Sequence, residues 1–369
     1  MATGTPALRV EEFPGRGRSL ISTRPLRGGE VILRDSPILL YSAAANSPYC
    51  NSCLKKRLPQ NGAGAGAVTC RTCSSFFCSQ TCLASPSHSH FACLALAKLA
   101  SPANDLSPEV NLQARFLVAA YNLSVVSPDN FRLLLSLQGD GAVNGEVSLL
   151  HSVIAPAEGR FPLETTAALL AKDKVNAFGL MEPFDEGEEG RRSVRGYGVY
   201  PRAAFFNHDC LPNACRFDYV DSGGEANTEI VVRMIHDVPK GREVCLSYFP
   251  VNLGFAERQK RLVEDYGFQC GCDRCRVESS WSDHEGDDVA MEEDGDDDGD
   301  DDEEAMEAGS GGDDVGDSGG DDFPHAYFFV KFVCNREHCG GTLAPLPGPG
   351  QSNLMECNVC GNVQQDEVV

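Results

Sequence analysis

Most of the 17 cysteines in this 369-residue chain stand in close pairs, a spacing that suits the binding of metal ions. The first group runs as Cys50-x2-Cys53, Cys70-x2-Cys73-x4-Cys78-x3-Cys82 and His90-x2-Cys93. Two ligands on one tight turn supply neighbouring corners of a tetrahedral site, and zinc prefers thiolate and imidazole ligands. Residues 50–93 are therefore predicted to hold two zinc ions.

We predict that the pairs interleave between the two ions. One ion takes Cys50, Cys53, Cys78 and Cys82, and the other takes Cys70, Cys73, His90 and Cys93. His88 is an alternative to His90 as the eighth ligand. Closed sites of this kind replace a hydrophobic core in a small segment. The surface of the segment is either a solvated basic face or a binding face for a peptide or nucleic acid, through Lys55, Lys56, Arg57 and Arg71.

Two further groups of thiols lie downstream. Cys270, Cys272 and Cys275 form a Cys-x-Cys-x-x-Cys run that lacks a fourth ligand, and Cys210 is the candidate for that position. Near the C-terminus, Cys334, Cys339, Cys357 and Cys360 predict a zinc ribbon. Cys215 and Cys245 are left as buried thiols. The expected content is about four zinc ions per chain.

Polar residues outside these groups mark a second kind of site. Asn207 and His208 precede Cys210, and a strand-like run further on reaches Tyr248. Near the N-terminus, Arg16 and Arg18 alternate with glycines, whose backbone amides can approach a ligand closely while the guanidinium groups meet a carboxylate. Taken singly, these features fit a plain turn, a core histidine and a tyrosine at the rim of a core.

The charge of the chain is concentrated in one tract. Residues 282–322 hold 21 of the 54 acidic residues and no Lys or Arg, so the remainder is nearly neutral. Such a tract cannot bury enough apolar surface to fold, and we expect it to be a disordered spacer, or an attractor of basic substrates. It argues against tight DNA binding.

We expect an intracellular protein without a membrane span or secretory signal. In such a compartment, zinc sites are expected in preference to disulfides.

Hydrophobic patterns divide the rest of the chain. Short β-rich runs between prolines and glycines occupy residues 13–41. Residues 94–175 carry helical spacing, with an apolar face at Leu112, Phe116, Ala119, Ala120 and Leu123. Strand-like segments follow from residue 196 to Tyr248.

Together these motifs resemble a known family. Residues 50–93 resemble a MYND finger, and Asn-His-x-Cys, Gly-x-Glu-x-x-x-x-Tyr and Cys-x-Cys-x-x-Cys resemble the catalytic half of a SET domain with its post-SET zinc loop. Over residues 13–275 the chain is similar to the SMYD family of protein lysine methyltransferases, in a short form whose C-terminal ribbon stands in place of the helical repeat domain.

The resemblance implies an α+β fold, in which a β-rich SET knot carries an inserted finger and a helical insert. The implied domains are 1–49, N-terminal part of SET; 50–93, MYND finger; 94–175, helical insert; 176–254, SET core; 255–280, post-SET loop; 281–322, acidic tract; and 323–369, zinc ribbon.

The resemblance also implies a chemistry. S-adenosylmethionine would be the cofactor, contacted by Arg16, Arg18, Asn176, Asn207, His208 and Phe268. Tyr248 would be the hydroxyl at the transfer centre. The expected substrate is a lysine of a histone or other basic protein, with the protein acting on chromatin in the nucleus or present in the cytoplasm. The finger would bind a peptide partner.

A second interpretation comes from another functional class. Ser19 stands where this family often has glycine, and the finger spacing departs from the usual one. These departures leave open a catalytically inactive, zinc-rich adaptor that recruits partners through the finger. The target lysine, the degree of methylation and the oligomeric state have no signal in the sequence.

Overall fold

The structure is a computed structural model that describes residues 6–57, 66–101, 106–154, 161–184, 193–220, 227–280, 325–348 and 352–366. Its strands are β1 Leu8–Phe13, β2 Gly17–Ser22, β3 Val31–Asp35, β4 Leu39–Ser42, β5 Val68–Thr69, β6 Phe76–Phe77, β7 Ala177–Met181, β8 Val194–Val199, β9 Asn207–His208, β10 Ala214–Asp218, β11 Ile230–Met234, β12 Cys245–Leu246, β13 Leu343–Pro345, β14 Leu354–Cys357 and β15 Val363–Gln365. Its α-helices are α1 Gln80–Leu83, α2 His90–Leu99, α3 Pro108–Val126, α4 Pro128–Leu135, α5 Gly145–Ile154, α6 Leu163–Asn176, α7 Phe255–Arg261, α8 Asp273–Glu278 and α9 Ala326–Phe332.

This content confirms the predicted α+β class. The acidic tract, for which we predicted disorder, lies outside the described residues. No helix of the described ranges is both long and apolar enough to cross a membrane.

The central sheets join strands that are far apart in the sequence. β3 pairs antiparallel with β11, which also pairs with β10, and β4 pairs antiparallel with β8, which also pairs with β7. The chain therefore leaves one β-rich unit after β4, forms the finger and the helical insert, and returns to the same unit at β7. Such long-range pairing means that the unit forms only when both ends of it are present.

The strand β11 faces two hydrophobic cores. Alternate residues of a strand point to opposite faces. Ile230, Val232 and Met234 accordingly enter the core of the β-rich unit, whereas Val231 enters a second core that it shares with the C-terminal segment. We call that segment, residues 325–366 as described, the C-terminal ribbon. Its strands β13, β14 and β15 form one antiparallel sheet, and Phe328, Leu343 and Met355 are among its contributions to the second core.

Helix α3 is the centre of the helical insert. It starts after Ser107, whose hydroxyl accepts a hydrogen bond from the Val110 N–H, and Pro108 occupies the first turn, where its missing N–H is not needed. Phe116 and Ala120 are fully buried, and Leu123 is nearly so. Leu112 and Ala119 pack against the same core, which confirms the predicted apolar face.

A buried arginine joins the β-rich unit to the finger. The Arg195 guanidinium donates to Asp218 Oδ1 (2.8 Å), to the Met181 carbonyl (3.0 Å) and to the carbonyls of Leu54 (2.9 Å) and Asn227 (2.9 Å). The other carboxylate oxygen of Asp218 accepts the Met181 N–H. Each buried polar atom of this pair therefore has a partner, which offsets the cost of removing both charges from water.

Replacement of the carboxylate should destabilise the protein strongly, because it leaves the Arg195 charge buried and uncompensated. We expect Asp218→Ala to lower the free energy of unfolding by about 3–5 kcal/mol, measured by urea denaturation. Glu229→Ala, which breaks the exposed pair with Arg34, is the matched control and should cost no more than about 1 kcal/mol. Equal losses in the two variants would contradict this account.

Candidate functional site

The site is built on a very short parallel pairing. Cys245 pairs with Asn207 and Leu246 with His208, so β9 and β12 run side by side. Tyr248 follows two residues after β12, and its N–H donates to His208 Nδ1 at 3.1 Å. The Tyr248 hydroxyl donates to the Phe206 carbonyl at 2.9 Å. The pairing thus brings together two motifs that the sequence separates by about forty residues.

The hydrogen bonds of His208 define its tautomer. Nδ1 accepts the Tyr248 N–H, so the ring proton of the neutral imidazole belongs on Nε2, which lies 3.2 Å from Cys210 Sγ. Burial lowers the pKa of His208 to about 4, which keeps the ring neutral at physiological pH. His208 therefore links the tyrosine to the first thiol of a metal-binding group.

That group is the predicted one. The sulfur atoms of Cys210, Cys270, Cys272 and Cys275 all lie within 4.8 Å of one another. Arg258, a buried residue of α7, donates to Cys210 Sγ at 3.3 Å and to Cys275 Sγ at 3.7 Å, and it pairs with Glu278. Four thiolates around one Zn²⁺ leave excess negative charge, which these N–H donors stabilise. The donor set therefore fits zinc.

A polar face lies beside the pairing. Glu243 accepts a hydrogen bond from Asn207 Nδ2 at 2.9 Å and forms an ion pair with Arg16 at 3.3 Å. Asn207 Nδ2 also donates to the buried Ser19 hydroxyl at 2.8 Å. Ser19, which the sequence marks only as a departure from glycine, is therefore part of the support of Asn207.

An open aromatic surface adjoins this face. The Phe268 ring is 39% exposed, and its centre lies 6.4 Å from that of His208. Gly15 and Gly17, in the turn from β1 to β2, have positive φ angles of 77° and 69°, and the space where a side chain would stand is empty. The backbone of this turn and the Phe268 side chain are therefore both accessible from solvent.

Two predicted cofactor residues have other contacts in the structure. Arg18 lies over the Phe205 ring at 4.6 Å and donates to the Ser136 carbonyl at 3.2 Å. The buried Asn176 uses both hydrogens of its side-chain amide on the carbonyls of Lys172 and Gln138. Asn176 therefore has only its side-chain oxygen left to offer a ligand.

Three further residues of the site were not predicted from the sequence. Tyr266 lies with its ring centre 4.8 Å from that of Tyr248, Phe249 lies 4.8 Å from His208, and Glu243 joins Arg16 to Asn207. The signal available for Tyr266 was its position two residues before Phe268, in the same loop. Glu243 lay within the Gly-x-Glu motif but was not assigned a role.

The finger contains the two predicted groups with one correction. Cys50, Cys53, Cys78 and Cys82 form one group, and Cys70, Cys73, Cys93 and a histidine form the other. That histidine is His88 rather than the predicted His90: His88 Nε2 lies 3.4 Å from Cys73 Sγ, and Nδ1 is held by the Leu83 carbonyl at 2.9 Å.

Local structure explains this correction. His90 is the first residue of α2 and is exposed, because Ser89 caps the helix by accepting the Ala92 N–H. His90 belongs to neither thiol group, whereas His88 ends the short 3₁₀ turn Pro86–His88 and lies beside Cys73.

The C-terminal ribbon supplies a fourth group. Cys334, Cys339, Cys357 and Cys360 have their sulfur atoms within 4.8 Å of one another. Cys215 and Cys245 lie outside the four groups and are buried, and burial raises the pKa of the Cys215 thiol to about 12. Four groups among the described residues fit the expected content of about four zinc ions.

Metal analysis should distinguish the two histidines. Since His88 completes a closed site, we expect His88→Ala to lose about one zinc ion per chain, whereas His90→Ala should keep about four. Elemental analysis of the purified, dialysed proteins measures the difference. A loss confined to His90→Ala would reverse the assignment.

Known proteins are similar in sequence to much of this chain. The SET domain profile matches residues 17–249. The chain is 52% identical to histone-lysine N-methyltransferase ASHR2 of Arabidopsis thaliana, over 98% of this chain and 96% of that protein. It is 26% identical to histone-lysine N-methyltransferase SMYD3 of Homo sapiens, over 75% of this chain and 63% of that protein.

Among solved structures, the SET domain of LSMT bound to lysine and AdoHcy aligns with 74% of this chain and 54% of its own, at 15% identity and a TM-score of 0.33. The chain thus spans about half the length of that structure. The extent of the profile match and the full-length relationship to ASHR2 show that this chain belongs to the SET domain family.

Proposed function

We propose that this protein transfers the methyl group of S-adenosylmethionine to lysine side chains of other proteins. The contact that carries the proposal joins Tyr248 to His208 across the β9–β12 pairing, beside the polar face of Arg16, Asn207 and Glu243. ASHR2, a relative over nearly the whole chain, bears the name histone-lysine N-methyltransferase, which supports the same activity here.

The residues around the pairing fit the parts of this cofactor. Arg16 and Glu243 offer a cation and a carboxylate for the zwitterionic amino-acid end, and Phe268 offers an aromatic surface for the adenine. Asn207 and the backbone near His208 are further predicted contacts of the cofactor. Of the other predicted contacts, Arg18 and Asn176 would take part only by giving up part of their present hydrogen bonding.

The bound cofactor supplies an electrophilic methyl group on a sulfonium ion. Burial, with a smaller effect from Tyr266, raises the pKa of Tyr248 above its ordinary value, so the hydroxyl stays protonated at neutral pH. Tyr248 therefore does not act as a base. Its role is to orient the neutral lysine amine by hydrogen bonding, and the neighbouring Tyr266 ring narrows the space around that amine.

The substrate class, the partners and the location are further parts of the proposal. The names of ASHR2 and SMYD3 support a histone as one substrate, and hence a nuclear, chromatin-directed role. Residues 50–93 would act as a MYND-type finger that binds a peptide partner. The two four-ligand groups of residues 50–93 support a MYND-type fold for the segment. The location is tested by fractionation of cells that express the tagged protein.

The decisive experiment is methyl transfer from labelled S-adenosylmethionine to histones or to a cell lysate. We expect labelled lysine with the wild-type protein and a loss of at least about 100-fold in Tyr248→Phe, because the amine loses the group that orients it. Tyr327→Phe, at an exposed tyrosine of α9, is the matched control and should keep full activity.

Calorimetry with S-adenosylmethionine separates the proposal from the adaptor alternative. Tyr248→Phe should still bind the cofactor, since the hydroxyl bonds the Phe206 carbonyl and not the polar face. A wild-type protein that neither binds the cofactor nor labels lysine, yet retains partners through residues 50–93, would instead be an adaptor.

A further inference from the structure

A cavity of about 390 Å³ lies where the finger, the β-rich unit and the helical insert meet. The β-rich unit lines it with residues 37–42, the finger with residues 51–52 and 86–87, and helices α2 and α3 supply most of the remaining wall. We call this space the junction cavity. Tyr248 is not among its lining residues, and its volume falls within the range of about 300–1,000 Å³ that is usual for small-molecule sites.

One face of helix α3 forms the longest wall of the junction cavity. Residues spaced three and four positions apart share a face of a helix. The α3 residues with this spacing in the lining are Arg115, Val118, Ala119, Asn122, Leu123 and Val126. Ile38 and Leu96 add further apolar surface from the β-rich unit and from α2. The cavity is therefore mostly apolar, with a guanidinium at one end of the α3 face.

Arg115 is the one charged residue in the lining, within the ranges that the structure describes. Its side chain is buried, with the residue only 5% exposed, and Nε donates to Asn111 Oδ1 at 3.0 Å. The two terminal nitrogens donate no hydrogen bond to any described residue, yet neither is completely enclosed by protein. These nitrogens therefore open onto the cavity.

The other buried arginines show how this protein normally treats such a charge. Arg195 pairs with Asp218, Arg233 with Glu356, and both Arg258 and Arg274 with Glu278. Buried charges are generally paired in this way, because an uncompensated one costs several kcal/mol. Of the five buried arginines in the described part of the chain, Arg115 alone has no carboxylate partner.

The surroundings of Arg115 compensate its charge incompletely. Burial lowers the pKa of Arg115 to about 10, and the negative charge of the Cys73 thiolate opposes this effect. No described thiol accepts a hydrogen bond from the guanidinium, which stays protonated at neutral pH. Asn122 is neutral and already bonds Ser89 and the Pro86 carbonyl. The cavity thus presents one positive charge that lacks a counterion.

We propose that the junction cavity binds a small organic acid that has an apolar body and a single carboxylate, and that the carboxylate accepts hydrogen bonds from the terminal nitrogens of Arg115. The apolar body covers the α3 face and the side chains of Ile38 and Leu96. A planar carboxylate matches the paired donors of a guanidinium, and such charge-assisted hydrogen bonds are about twice as strong as neutral ones.

The charge of the lining defines the anion further. One guanidinium balances one carboxylate, whereas a dianionic phosphate would leave a second negative charge buried without a partner, since no other cation of the described chain lines the cavity. The site is separate from the polar face of Arg16, Asn207 and Glu243, none of which lines the junction cavity.

The test is calorimetry on the full-length protein with its zinc, using octanoate, the neutral octanamide and octyl phosphate as probes. We expect octanoate to bind about 10-fold more tightly than octanamide, because only octanoate forms charge-assisted hydrogen bonds with Arg115. At mildly alkaline pH octyl phosphate is a dianion, and it should bind about 10-fold more weakly than octanoate. Saturating S-adenosylmethionine should leave the octanoate affinity unchanged, because the cofactor site lies elsewhere.

A pair of arginine variants locates the carboxylate. Arg115→Gln should lower the affinity for octanoate about 10-fold while changing that for octanamide by no more than about 2-fold. Arg132→Gln, at an exposed arginine of α4 outside the lining, is the matched control and should leave both affinities unchanged.

A pair of valine variants locates the apolar body, and it remains informative if Arg115→Gln fails to fold, as shown by lost zinc. Val126 and Val125 are neighbours on α3 that are both exposed, but only Val126 lines the cavity. Val126→Trp should weaken octanoate and octanamide alike by about 5-fold or more, because the larger ring takes up space in the lining. Val125→Trp should change neither affinity.

The remaining outcomes overturn the inference. Equal binding of octanoate and octanamide removes the role of the charge, and tighter binding of octyl phosphate removes the carboxylate class. Competition between octanoate and S-adenosylmethionine places the acid at the polar face, and equal effects of the two tryptophan variants place it outside the junction cavity. A short blocked peptide with one central Glu that binds more tightly than octanoate, and depends on Arg115, makes the ligand a protein segment. None of these measurements requires methyl transfer, so this inference and the proposed function fail independently.

Discussion

The parallel contact of two dipeptides, Asn207-His208 with Cys245-Leu246, is the constraint on which the site depends. It is too short to be stable as an isolated sheet, so its geometry must be imposed from outside. On one side, Cys210 is one of four thiols that form a metal-binding group. On the other side, Asn207 donates hydrogen bonds to Ser19 and Glu243. Tyr248 is positioned through these supports, because its N–H donates to His208.

Metal coordination carries much of this support because the segments concerned have little apolar surface of their own. Each group of four ligands closes a short loop and fixes its exit direction, which a few buried side chains would do less accurately. Around the Cys210 group the structure adds N–H donors from Arg258 and His208. His208 contacts both Tyr248 and Cys210 of the metal group, so these two parts of the site are mechanically coupled.

Strand β11 joins the β-rich unit to the C-terminal ribbon by hydrophobic packing rather than by metal ligands. Its alternate side chains enter two cores, so neither core can rearrange without moving the other. The ribbon is therefore packed as part of the same folded body, and a cavity beside Tyr248 is formed where the two units meet. The buried ion pair of Arg195 with Asp218 joins the finger to the same unit from the other end.

Residue spacing alone predicted the composition of the metal groups, except for one histidine. Close cysteine pairs keep their ligands together on one turn, so this spacing carries the information locally, and the long-range partner Cys210 could be found because three thiols were one ligand short. The apolar face of helix α3 was predicted equally well, since a buried helical face shows a regular apolar pattern in the sequence. The family motifs identified Tyr248 and His208 as residues to examine.

The other features of the site could not be predicted before folding was known, because their contacts join distant segments or depend on where one helix begins. Helix α2 starts at His90 and turns it outward, which left His88 as the ligand. Glu243 has a role only because β12 lies beside β9, which puts its carboxylate near both Arg16 and Asn207. The cavity beside Tyr248 has no sequence signal at all, since its walls come from units that meet only in the folded protein.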